Sequence, residues 1–175
     1  MSNSFVVANP DRCIGCRTCE AACAIAHLGN NMFTAKASEI QFQPRLSVIK
    51  TARVTSPTQC RQCEDAPCAR GCPVNAITNK DGYIYVEQRK CVGCKTCLMT
   101  CPFGAMELIT QYNDGERVVQ DRFKYSEEEK LYEGKERIVA AKCDLCASTE
   151  SGPACIEVCP TAALRVINYD DIKKV

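Results

Sequence analysis

Apolar residues occur along this chain in short runs separated by polar ones, and no run is long. Residues 5–8, 76–78, 83–86, 138–141 and 164–167 read as short strands. Asn79, Lys80, Asp81 and Gly82 stand between the second and third of these as a hairpin turn. In residues 32–55, Leu46 and Val48 alternate with polar neighbours and predict further strands. Residues 126–135 carry Glu127, Glu128, Glu129, Lys130, Glu133 and Lys135, the pattern of a charged helix or loop with a solvated face. The longest apolar runs, such as residues 21–26, fall far short of the roughly 20 residues of a membrane span.

Leu, Ile, Val and Phe together make up only about one fifth of the 175 residues, low for a domain held by apolar burial alone. Sixteen cysteines change that picture. They fall in four groups: Cys13, Cys16, Cys19, Cys23; Cys60, Cys63, Cys68, Cys72; Cys91, Cys94, Cys97, Cys101; and Cys143, Cys146, Cys155, Cys159. Every group ends in a Cys-x3-Cys step, and the first and third are Cys-x2-Cys-x2-Cys-x3-Cys throughout. In that run three thiolates wrap one 4Fe-4S cubane and the fourth turns away to a second. Pro73, Pro102 and Pro160 follow the last cysteine of three groups, fixing φ and removing an N–H where the chain leaves the cluster; Ala24 departs from this in the first.

Two other uses of the cysteines fit poorly. A disulfide framework calls for export, and residues 1–11 lack the basic start and apolar core of a signal peptide. Structural zinc favours two separated pairs over triplets closed by Cys-Pro, and His27 is the only histidine. Four 4Fe-4S clusters account for all sixteen thiols, with iron as the metal. The clusters then belong to the core, and their binding is coupled to folding. A net charge of +1 offers no field to recruit nucleic acid or an anionic membrane surface. The expectation is a soluble, cytoplasmic protein, in a compartment where thiols stay reduced.

The groups are unevenly spaced: 37 positions from Cys23 to Cys60, 19 from Cys72 to Cys91 and 42 from Cys101 to Cys143. Only the middle interval has the compactness of a two-cluster ferredoxin. The predicted fold is α+β, built from two bacterial-ferredoxin-like, two-cluster units with the inner inserted in the outer. The inner unit spans residues 55–110, the outer residues 1–30 and 136–175, and residues 31–54 and 111–135 connect them, the strands of 32–55 packing on the inner unit. Exchange of the fourth cysteine assigns Cys60, Cys63, Cys68 and Cys101 to one inner cluster and Cys91, Cys94, Cys97 and Cys72 to the other. In the outer unit Cys13, Cys16 and Cys19 go with Cys159, and Cys143, Cys146 and Cys155 with Cys23. A tandem arrangement, group one with two and three with four, is the alternative, at the cost of two long internal gaps.

His27, just past the first motif, reads as a packed or hydrogen-bonded residue and not an iron ligand. Arg12, Arg17, Arg61, Lys90, Lys95 and Lys142 lie beside the motifs, where a cation raises a cluster's potential, although most such side chains are simply exposed. No G-x-G-x-x-G, Walker A, H-E-x-x-H or G-x-S-x-G motif is present, and four cysteines per cluster leave no open iron site. The chain reads as an electron carrier and not as an enzyme.

The strings C-I-G-C-R-T-C-E-A-A-C at Cys13, C-R-Q-C-E-D-A-P-C at Cys60, C-V-G-C-K-T-C-x3-C-P-F-G-A-M at Cys91, and K-C-D-L-C with G-P-A-C-x3-C-P near the end resemble the four-cluster iron–sulfur subunits of the dimethyl-sulfoxide-reductase superfamily. Nearly the whole chain is covered. Within that family it looks most like the short electron-transfer subunits associated with formate dehydrogenase and hydrogenase, as in formate hydrogenlyase or hydrogen-dependent carbon dioxide reductase. The resemblance implies nested cluster pairing and redox-protein partners, and some such subunits assemble into larger chains or filaments. A freely diffusing polyferredoxin and an accessory protein for cluster transfer or maturation are the competing functions. The first is told apart by the absence of a bound oxidoreductase, the second by labile clusters passed to an apo-enzyme.

Overall fold

Strand pairing brings the two ends of the chain together. In the computed structural model, which describes residues 2–28, 42–113, 116–120, 135–149 and 151–172, β1 (Ser4–Ala8) is followed by α1 (Thr18–Ala26), β2 (Leu46–Lys50), β3 (Thr55–Gln59), α2 (Pro67–Arg70), β4 (Ile77–Lys80), β5 (Tyr83–Val86), α3 (Thr96–Thr100) and β6 (Glu107–Thr110). Then come β7 (Tyr112–Asn113), β8 (Glu116–Arg117), β9 (Val119–Gln120), β10 (Lys135–Glu136), β11 (Ile138–Ala141), α4 (Ala154–Glu157), β12 (Leu164–Asn168) and α5 (Tyr169–Ile172). The strands form antiparallel pairs: β1 with β12, β2 with β3, β4 with β5, β6 with β11, β7 with β8 and β9 with β10. The charged run expected at residues 126–135 lies almost wholly outside the described residues.

The β4–β5 hairpin forms as its sequence demands. Lys80 pairs with Tyr83, leaving Asp81 and Gly82 as the two-residue turn, with φ of 49° and 86°. Positive φ at both centres matches the right-handed strand twist, and Asp-Gly tolerates it.

Two apolar clusters form the core, and cysteines belong to both. One joins Val6, Leu46, Val48 and Leu164 to Cys19, Cys23 and Cys155. The other joins Ile77, Ile84, Met106 and Ala140 to Cys68 and Cys97. Helix α1 packs on α4, and α2 on α3.

One expectation is corrected here. The β2–β3 hairpin packs on the side of groups one and four and not on the inner unit, because Leu46 and Val48 project from one face of β2 into the Val6 cluster. The buried Glu20 carboxylate clamps this hairpin by accepting the Val48 N–H at 2.6 Å. Strand β11, which falls in the outer range 136–175, pairs with β6, the strand that follows the third group. Three consecutive buried residues, Val139, Ala140 and Ala141, suit a strand covered on both faces, and Ala140 joins the inner apolar cluster.

Candidate iron–sulfur sites

The first and third cysteine loops curl by alternating ordinary and left-handed residues. In the first group Gly15 and Arg17 have φ of 68° and 61°; in the third, Gly93 and Lys95 have 66° and 68°. Gln62 and Ala66 in the second and Leu145 and Cys146 in the fourth are also left-handed. Such alternation turns successive backbone N–H groups toward one concavity, the anion-binding nest found at phosphate and iron–sulfur sites. Arg17, Ala66 and Lys95 sit at the N-terminal boundary of α1, α2 and α3, so the curl delivers the chain directly into a helix carrying the third cysteine of its group.

The exits are equally regular. After Cys72, Cys101 and Cys159 the chain runs through Pro to a left-handed residue, Asn75, Gly104 or Ala162. The next N–H then donates back to sulfur: Ala76 to Cys72 at 3.3 Å, Ala105 to Cys101 at 3.4 Å and Ala163 to Cys159 at 3.3 Å. The first group differs because Ala24 replaces the proline. Helix α1 runs on to Ala26, and Cys23 Sγ accepts the N–H of Arg45 instead, at 3.2 Å. Gln62 donates to Cys60 at 3.4 Å and Ala140 to Cys91 at 3.4 Å.

All sixteen sulfurs are free of disulfides. One cavity is lined by Cys13, Cys16, Cys19 and Cys159, together with Val48 and Leu164. A second is lined by Cys72, Cys91, Cys94 and Cys97, together with Ile77 and Ala140. Cys60 and Cys101 both lie near enough to Cys63, and to Cys68, to help raise the thiol of each. Cys155 feels Cys143, Cys23 and Cys146 in the same way. Cys16 and Cys94 are the exposed members, each beside a threonine hydroxyl: Thr18 donates to Cys16 at 3.3 Å, and Thr96 Oγ1 lies 3.5 Å from Cys94 Sγ.

The thiols' electrostatics fit iron. Burial pushes Cys19 and Cys68 up to about 11 and Cys143 and Cys155 up to about 12. Neighbouring sulfurs add to the rise at Cys68 and Cys155. Thiolates in such dry places need a cation beside them, and iron, whose ligands bind deprotonated, supplies it. The threonine hydroxyls hold Cys16 and Cys94 below the usual thiol value.

Buried and half-buried polar residues brace the sites. Fully buried Gln62 donates from Nε2 to Cys143 O at 2.7 Å and accepts the Ile84 N–H at 2.9 Å. Lys142, 3% exposed, donates to Gln62 Oε1 at 3.0 Å and to Cys143 O at 2.8 Å. His27 Nδ1 donates to Cys23 O at 2.7 Å and Nε2 to Asp144 Oδ1 at 3.0 Å. Both acceptors lack a proton to give, so the ring is an imidazolium with neither nitrogen left for a metal. Arg45 Nη1 completes the group at 2.5 Å from Asp144 Oδ2. Gln62 and Asp144 stand inside Cys-x2-Cys steps, and His27 and Lys142 lie beside the motifs, but what each touches appears only once the chain is folded; Arg45 carries no such signal in the sequence.

Among the described residues no helix is long and apolar enough to cross a membrane.

Comparison with known proteins agrees with this chemistry. A family model described as a 4Fe-4S dicluster domain matches residues 51–121. The electron transport protein HydN of Escherichia coli K12 is 41% identical over 98% of this chain and 92% of its own length. Hydrogenase-4 component A of the same strain is 39% identical over 98% and 86%, and its formate hydrogenlyase subunit 2 is 39% identical over 99% and 86%. The chain belongs to this family of 4Fe-4S electron-transport proteins.

Proposed function

We propose that this member of the family holds four 4Fe-4S clusters as two interlocked pairs and relays electrons between a formate dehydrogenase and a hydrogenase. The ligand sets are Cys13, Cys16, Cys19, Cys159; Cys143, Cys146, Cys155, Cys23; Cys60, Cys63, Cys68, Cys101; and Cys91, Cys94, Cys97, Cys72. The carrying observation is that Cys159 lines one cavity with Cys13, Cys16 and Cys19, some 140 positions away, and Cys72 another with Cys91, Cys94 and Cys97. A tandem arrangement would put Cys159 and Cys72 elsewhere. The pairing of β1 with β12 and the packing of α1 on α4 support an outer unit built from the two chain ends. The inner unit takes β4, β5, α2, α3 and β6, and with them β11.

When bound, the clusters supply one-electron storage at each site. The protein's share is to hold sixteen thiolates in nests, donate N–H groups to their sulfurs and shield all but Cys16 and Cys94 at least partly from water. Cys16 and Cys94, exposed in different sets, give each unit one face open to a redox partner. Relatives named as formate hydrogenlyase and hydrogenase components support partners of that kind, and reduced thiols for cluster assembly suit the cytoplasm.

Purification of the native complex tests this. A molybdenum or tungsten enzyme should accompany the chain, with nickel if the hydrogenase is of the nickel-iron type. A lone monomer carrying four clusters and no bound oxidoreductase would favour a free polyferredoxin and overturn the relay.

A further inference from the structure

Lys142 stands between two ligand sets. Its Nζ donates to the carbonyl of Cys143 at 2.8 Å, and to Oε1 of Gln62 at 3.0 Å, whose own N–H donates to Cys60 Sγ at 3.4 Å. One hydrogen bond therefore reaches Cys143, and two, by way of Gln62, reach Cys60. At 3% exposure the ammonium is out of water, and among the described residues no carboxylate pairs with it. A buried charge without a counter-charge is costly. Amide and carbonyl oxygens satisfy its protons but cancel none of its charge. An anionic cubane held by four thiolates on each side does.

The other basic residues beside the motifs do not share this position. Lys90 is exposed and paired with Glu87 at 2.7 Å, Lys95 is exposed, and Arg17 reaches Glu20 at 3.8 Å from an exposed position. Arg45 and His27 do border the Cys23 and Cys143 set, but both share Asp144.

Resting on the four-cluster reading above, we propose that Lys142 is a fixed positive charge common to two clusters, those of Cys143, Cys146, Cys155, Cys23 and of Cys60, Cys63, Cys68, Cys101. Reducing a cluster adds negative charge beside the ammonium, so the cation favours the reduced form and raises both potentials, strongly because the medium is of low dielectric. Of the other two sets, that of Cys94 has half-buried Arg137, whose Nη2 donates to Cys91 O at 3.1 Å, and Lys142 hydrogen-bonds into neither. Lys142 therefore raises the two sites at the junction of the units and leaves the others as they are.

Redox titration of the fully loaded protein, followed by electron paramagnetic resonance, reads this directly. In Lys142→Met two of the four clusters should lose at least tenfold in reduced-to-oxidised ratio at fixed potential, about 59 mV for a one-electron couple, while the other two hold. Lys142→Arg, which keeps the charge, should stay near wild type. If the methionine variant loses its clusters, Lys142→Gln, whose amide keeps a donor for these acceptors, must show the same selective fall. Four midpoints unmoved, or all four moved alike, would overturn the proposal, and so would loss of clusters in both neutral variants, which assigns Lys142 to folding. Iron analysis separates the two readings: fewer than four clusters in the wild type would overturn the four-cluster assignment, whereas four clusters indifferent to Lys142 would overturn only this one.

Discussion

His27 and Asp144, 117 positions apart, meet with Nε2 at 3.0 Å from Oδ1. Burial by itself lowers the histidine, but the Asp144 carboxylate and Cys23 outweigh it and raise it to about 9. Burial likewise raises Asp144, and His27 and Arg45 more than reverse this, holding its carboxyl well below the usual range. The raised histidine contributes stability that is complete below its ordinary 6.5 and is lost as pH rises through about 9. Denaturation midpoints of the loaded protein should therefore fall between those limits. His27→Gln should start lower and flatten the profile; an unchanged slope would remove the pair from the account.

Cysteine exchange predicts a pattern of non-additivity. Cys159→Ser and Cys16→Ser should each remove about a quarter of the iron, and the double variant no more than either, because both strike one of four sites. Cys159→Ser combined with Cys146→Ser should remove about half. The opposite outcome, additive loss with Cys16 and none with Cys146, would return Cys159 to its sequence neighbours.

Cysteines in both apolar clusters make the metal part of the core. Iron chelation should leave a largely unfolded chain, seen as loss of ellipticity in circular dichroism. Native-like ellipticity without iron would contradict it.

Glycines separate conformational from packing demands. Gly104, at φ 58°, has open space where a Cβ would stand, so Gly104→Ala should cost only the about 1–2 kcal/mol of a left-handed alanine. Gly93, at φ 66°, would put its Cβ 2.6 Å from Ile138 O, the backbone of β11, and Gly93→Ala should destabilise the loaded protein further and loosen the Cys91 site. Equal thermal shifts in the two variants would dismiss the β11 contact.

Much of the local architecture was legible along the chain. The β4–β5 hairpin follows from Asp81 and Gly82, and the exits from three sites follow from the prolines after Cys72, Cys101 and Cys159. These are short-range demands on φ and on one N–H. The placement of β2 and β11 was not legible, since an amphipathic or apolar strand states that it is buried without stating against what. Leu46 and Val48 suit either unit equally well by composition. The roles of Gln62 and Arg45, and the burial that sets Lys142 apart from the other basic residues beside the motifs, were hidden for the same reason: each acts on atoms 22 to 99 positions away.

Spacing and residue type alone determined that sixteen thiolates are grouped for 4Fe-4S clusters, because a cubane's ligand geometry is written in intervals of three and four residues. Only the tertiary structure decided that Cys159 lines a cavity with Cys13, Cys16 and Cys19, and that Lys142 is buried against Gln62 and Cys143. Ligand loops are local, whereas a shared cavity and a buried charge exist only once distant segments have closed around them.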